Sequence, residues 1–265
     1  MNARWLFIIF GLFLAIGGLV AGVFAGSIER ALVLPPKHTG IQQTATMTIT
    51  PTRGSTPTAM IPTPAVTTMN VLAQDTFQRP DQSLWGTASD GRSWEGDANA
   101  PKNTHIFSIA RSQGVIMHTQ GTLNAILGPV STNVEVTASG SVSHFGGTIN
   151  FGVVLRWTDA KNWYKAFING TQFVLLKRVN GVTTQLGAQA FTAQGNTLYT
   201  VRLRAIGAVL FAKVWPSTDM EPTGWMVNVT DTSLTAGQGG VRVLVQSDVI
   251  VHLAAFSESS AISQV

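Results

Sequence analysis

Glu95 and Asp97 alternate in Trp94-Glu-Gly-Asp97-Ala-Asn-Ala100 and, on an extended backbone, would project from one face. Two carboxylates about 5 Å apart can hydrolyse a glycosidic bond with retention, one as nucleophile and the other as acid. That chemistry needs a second acid in reach, and the segment reads equally as solvated loop acids beside a packed Trp94. Trp157 and Trp163, which flank Asp159 to Asn162, offer aromatic faces that complement the apolar face of a pyranose. Trp85, Trp94 and Trp215 read instead as residues packed on a core or under a loop. Asp75, Asp81 and Asp159 are weak calcium candidates, because a hard cation takes six or more oxygens. Each also has a local reading, Asp75 as a strand-end group and Asp159 as a turn-former bonding its own backbone. The five histidines show no metal-like spacing, and no Ser/His/Asp arrangement stands out.

The elements that must position these residues are strands. Val134, Val136 and Ala138 alternate with polar neighbours, as do Tyr199, Val201, Leu203 and Ala205, and Val249, Val251, Leu253 and Ala255 close the chain. Some twelve to fourteen strands broken by Gly, Asn and Ser clusters predict one all-β sandwich. Asn169-Gly170 and Asn180-Gly181 predict two-residue hairpin turns. As two-residue loops they pair Tyr164 with Leu175, Ala166 with Phe173 and Leu175 with Leu186. One face then carries Tyr164, Ala166, Phe173, Leu175 and Leu186 as core. The opposite, mixed face carries Trp163, Lys165, Gln172, Val174, Arg178 and Gln185. With Trp157, the residues Trp163, Lys165, Gln172, Arg178 and Gln185 form the candidate ligand surface. Arg202 and Arg204 alternate on another strand and read as a solvated or cross-strand-paired face.

The chain carries a formal charge of +4 and a pI near 9.8. Residues 71–265, however, hold 13 Lys and Arg against 12 Asp and Glu. The sandwich therefore lacks the basic footprint of a nucleic-acid binder. With no cysteine, disulfides, thiol catalysis, cysteine metal sites and a lipidated-cysteine anchor are all excluded. Trp5 to Ile28 is uncharged and as a helix would reach roughly 36 Å, enough to cross a hydrocarbon core of about 30 Å. The run exceeds a signal-peptide core, so a retained signal anchor is expected; secretion after cleavage near Ala25 is the alternative. Arg4 precedes it and Arg30 and Lys37 follow, so charge does not set the orientation. The downstream composition favours an extracytoplasmic C-terminal part. The expected organisation is a cytoplasmic tip and anchor over 1–34, a disordered Thr/Pro-rich linker over 35–70 and the sandwich over 71–265.

Three segments carry a resemblance. They are Asp75-Thr-Phe77-Gln-Arg79-Pro-Asp81-Gln-Ser-Leu84-Trp85-Gly, Val154-Leu-Arg156-Trp-Thr-Asp159-Ala-Lys-Asn162-Trp-Tyr164-Lys-Ala166, and Phe211-Ala-Lys213-Val-Trp215-Pro with Glu221-Pro-Thr-Gly-Trp225. Over about 71–258 the chain resembles the concanavalin A-like lectin/glucanase superfamily, in particular the laminin-G-like jelly-roll domains of bacterial surface proteins. The resemblance implies an antiparallel jelly-roll β-sandwich. Glucanases of that superfamily use Glu-x-Asp-x-x-Glu, and here Ala100 stands where the final Glu would be. The reading is thus a membrane-anchored surface module binding carbohydrate or a surface protein without catalysis and without a required cofactor, calcium being the one that the resemblance admits. The alternatives are a glycan-active hydrolase of the same fold and a purely structural cell-surface domain.

Overall fold

The computed structural model describes residues 70–261. The expected membrane helix, the linker and the cleavage site near Ala25 lie outside the described residues. Among those described, no helix is long and apolar enough to cross a membrane.

The described chain is all-β apart from two short 3-10 turns. Its strands are β1 (Val71–Asp75), β2 (Gln82–Ser83), β3 (Glu95–Gly96), β4 (Phe107–Ala110), β5 (Gln113–Ile116), β6 (Gly121–Ile126), β7 (Val134–Val142) and β8 (Asn150–Asp159). They continue as β9 (Asn162–Ile168), β10 (Gln172–Val179), β11 (Val182–Ala190), β12 (Tyr199–Ile206), β13 (Val209–Pro216), β14 (Val227–Thr230), β15 (Gln238–Val245) and β16 (Val251–Ser260). That is sixteen described strands, more than the twelve to fourteen expected, because two-residue pieces such as β2 and β3 carry no period to read. One sheet runs β14-β13-β12-β7-β16-β5-β4-β2, with β1 also paired to β16. The other runs β11-β10-β9-β8-β15-β6-β3. Every pairing is antiparallel.

Alternation dictates the core. Val136, Val201, Leu203 and Val251 from the first sheet meet Phe151, Val153, Tyr164, Phe173, Leu175 and Val243 from the second in one buried cluster. At its end near β1 the chain packs aromatic rings. Trp85 and Trp94 meet edge to face with centroids 4.9 Å apart, and Phe77 packs on both. Both tryptophans are buried, as expected.

The hairpins keep the expected faces but shift in register. Leu175 pairs with Ala166, Phe173 with Ile168 and Lys177 with Tyr164. The first turn is centred on Gly170 and Thr171, because Gly170 takes φ 98° while the Asn169 side chain accepts the N–H groups of Thr171 and Gln172 at 3.1 and 2.9 Å. Glycine in the first central position suits a type II′ turn. The slip is two residues, so parity survives. The second turn is the expected Asn180-Gly181, both at positive φ, but a bulge past Leu176 pairs Leu175 with Gly187 rather than Leu186.

Bulges also turn polar residues inward. In β16 the register shifts between Leu253 and Ala255, so Ala255 is exposed and Phe256 and Glu258 are buried. Glu258 sits against Gly128 and Gly239, where an added Cβ would stand 2.1 and 2.7 Å from its Oε2. Burial pushes its carboxyl up to about 7, opposed by the Gly239 N–H it accepts.

Leu175 is fully buried, so Leu175→Ala is expected to lower unfolding free energy by about 2–5 kcal/mol in a urea titration. Glu258 has a folded value above the unfolded one. Its stabilising share is therefore complete below about 4.5 and is lost as pH rises through about 7. Glu258→Gln should flatten the decline in melting temperature between pH 5 and 8.

Candidate functional site

The outer faces of the two sheets handle cations in opposite ways. On the first sheet Arg202 lies directly across from Lys213, a like-charge pairing that needs a counter-ion. Glu221 supplies it, at 2.6 Å from both. Arg204 lies across from Glu135 and pairs with it at 2.6 Å. Trp215 and Trp225 stack beside these cations. The Arg202 and Arg204 strand is thus cross-strand paired.

On the second sheet Lys165, Arg178 and Arg242 project from the face opposite the core, and among the described residues none of them forms an ion pair. The Lys165 ammonium donates to Asn150 Oδ1 and lies 4.8 Å from the Phe167 ring. Arg242, from β15, reaches across β8 to stack 4.6 Å from the Trp163 ring and 5.7 Å from Trp157. The floor it crosses holds Gly152 and Gly240, where a Cβ would stand 2.2 and 2.4 Å from a carbonyl of the neighbouring strand. Side-chain atoms of Phe167 and Ile126 close on these two positions, 2.5 and 2.7 Å from where the Cβ would stand. Arg242 also bonds Asn124, whose N–H donates to Asp97 at 2.9 Å.

The electrostatics follow. Burial lowers the Lys165 ammonium well below the ordinary lysine value, and Arg242 adds to the effect. Burial and then Arg178 bring Arg242 down to about 10, against a pull upward from Asp97. Arg178 keeps a buried Nε with no hydrogen-bond partner among the described residues.

The structure brings Trp157, Trp163, Lys165 and Arg178 to this face beside Arg242, with Gln172 and Gln185 exposed on the hairpin beyond. Trp163 and Lys165 differ from the expectation of exposed residues: they are 3 and 4 % exposed, because Arg242 and the neighbouring aromatic side chains crowd over them. Trp157 and Arg178 are half-buried and reachable. Sequence reading missed Arg242, Asn124 and Asn150. Arg242 arrives from a strand about 80 residues downstream, and only its place outward from Val241 and Val243 signalled its face.

Asp75, Asp81 and Asp159 are not brought together. Asp75 is buried and accepts from Arg79, Trp94 and the Phe77 N–H. Asp81 accepts the Arg111 N–H, and Asp159 accepts Lys161 N–H and Asn162 Nδ2. Among the described residues no three acids or histidines are arranged to hold a metal ion, so these residues do not assemble a calcium shell. Gly96 takes φ 71° between Glu95 and Asp97 and ends β3, which carries Asp97 into a 3-10 turn rather than along the strand. The Arg-Asp-Asn-Tyr hairpin proves structural. The Arg156 side chain donates to carbonyls of Thr132, Leu234 and Gly207, and Tyr164 Oη donates to Asp231 at 2.6 Å. Burial opposes the Asp231 charge, yet bonds from Lys177, Tyr164 and Ser233 hold its carboxyl well below the usual range.

No protein-family model and no curated protein matches this chain. Solved structures do. The xylan β-1,4-xylosidase from Bacillus halodurans C-125 aligns at TM-score 0.53 and 11% identity over 71% of this chain and 39% of that one. LamAcat from Zobellia galactanivorans aligns at TM-score 0.50 and 8% identity, over 72% of this chain and 98% of that one. The carbohydrate-binding module CBM66 from Bacillus subtilis gives TM-score 0.48 and 16% identity over 63% of this chain and 95% of that one. The first two share the two-sheet β-sandwich fold with this chain, and at such identities they speak of the fold alone.

Lys165 is buried with no opposing charge among the described residues, so Lys165→Met should raise stability by about 1–3 kcal/mol in urea unfolding. Asp231→Asn should lower it by a similar amount, since the amide oxygen can still accept from Tyr164 but Lys177 loses its counter-charge.

Proposed function

We propose that this chain is a membrane-anchored, extracytoplasmic carbohydrate-binding module of laminin-G-like type. It holds its ligand on the outer face of the β11-β10-β9-β8-β15-β6-β3 sheet. The observation that carries the reading is Trp157 grouped with Arg178 and Arg242 on that face, with Arg242 5.7 Å from the Trp157 ring. A sugar needs an apolar surface for its ring face and fixed polar groups for its hydroxyls, and this face supplies both without a protein partner. The uncharged run Trp5 to Ile28 and the Thr/Pro-rich stretch support an anchor and a stalk that hold the sandwich outside.

A glycan array probed with the full-length chain in detergent micelles tests the binding reading. Retention of at least one polysaccharide class, weakened about tenfold or more by Trp157→Ala with the melting temperature unchanged, is the expected result. Silence across all classes, or retention indifferent to Trp157→Ala, would remove the site. Protease added to intact cells tests the topology, and the expected result is release of a sandwich-sized fragment.

A further inference from the structure

Resting on the carbohydrate reading, we propose that the ligand is an acidic glycan, whose carboxylate or sulfate group is clamped by Arg178 and Arg242 above a buried Lys165.

Three observations converge. Residues 71–265 are close to charge balance at 13 cations against 12 acids, so cations left without acids reflect placement rather than excess. The other sheet shows how this chain neutralises outward cations when they serve structure: Glu135 and Glu221 stand 2.6 Å from Arg204, Arg202 and Lys213. The Lys165, Arg178 and Arg242 group has no such partner among the described residues. Asp97, which acts on Arg242 from across β6, is turned to the Asn124 N–H.

Arg178 and Arg242 are half-buried, and the buried Arg178 Nε has no acceptor among the described residues. Arg242 lies 4.6 Å from the Trp163 ring and gives Nη1 to Asn124, which leaves its Nε and Nη2 for an oxyanion. Lys165, 4 % exposed, acts from beneath through its field in a poorly solvated setting, where charge is felt more strongly than in water. Holding these cations together costs stability, and sites that keep such a cost are commonly binding sites. An arriving oxyanion would supply the missing counter-charge, and the ring faces of its sugar would meet Trp157.

The test uses the full-length chain in detergent micelles against immobilised polymers. Polygalacturonate presents carboxylates, its fully methyl-esterified form masks them, dextran sulfate presents sulfates, and dextran is its neutral counterpart. Polyglutamate presents carboxylates without sugar. The proposal expects at least tenfold tighter binding to an acidic polysaccharide than to its neutral counterpart, and the arm that binds names the group. Binding should weaken several-fold between 50 and 500 mM salt. Arg178→Gln, Arg242→Gln and Lys165→Met should each lose about tenfold or more, while Lys102→Gln, an exposed cation elsewhere, should not. Lys165→Met is expected to be more stable than the parent, so its loss of binding would not be unfolding. Equal binding to neutral and acidic polysaccharides would overturn the acidic preference and leave the carbohydrate reading standing. Polyglutamate binding as tightly as the acidic polysaccharides would overturn the glycan class. Retention of none of the polymers would overturn both.

Discussion

A cation held out of water must meet an acid, a cluster of dipoles or a ligand. In a two-layer sandwich the inner faces close on one another and exclude the question, but each outer face has to answer it with whatever side chains alternation places there. The Glu135 and Glu221 network answers it on one sheet. On the other, Asn150 and Asn124 take hydrogen bonds from Lys165 and Arg242 without cancelling their charge. That difference leaves one outer face neutralised by its own acids and the other with cations bonded only to amides.

Breaks in alternation do the remaining positioning. Arg156 takes φ 50° at an irregularity of β8, which turns its guanidinium to three loop carbonyls and ties the ends of both sheets. The β16 bulge carries Glu258 into the interior, where Gly128 and Gly239 leave it room. Bulges are the means by which a period of two delivers a polar side chain where the pattern alone would place an apolar one.

The sequence made the layers legible because parity is robust. Tyr164, Ala166, Phe173 and Leu175 face the core although the first hairpin slips by two residues, since a slip of two keeps every side chain on its side. What parity cannot carry is depth or distance. Ala255 was misplaced by a bulge that leaves no compositional mark, and Trp163 and Lys165 are buried because Arg242 arrives over them from β15, a strand order that local pattern does not specify. The Asp159, Asn162 and Tyr164 motif was legible as fold and silent on function, because each of its polar groups is used in turns and ties.

The central claim is that Lys165 is a buried cation lacking a counter-charge that an acidic ligand supplies. NMR titration of the full-length chain with 13Cε-labelled lysine reads this directly, with Lys165 assigned by Lys165→Met. In the free protein Lys165 should titrate well below the ordinary 10.5, and a saturating acidic oligosaccharide should move it upward while the neutral counterpart leaves it in place. An ordinary value in the free protein, or one indifferent to the acidic ligand, would contradict the account.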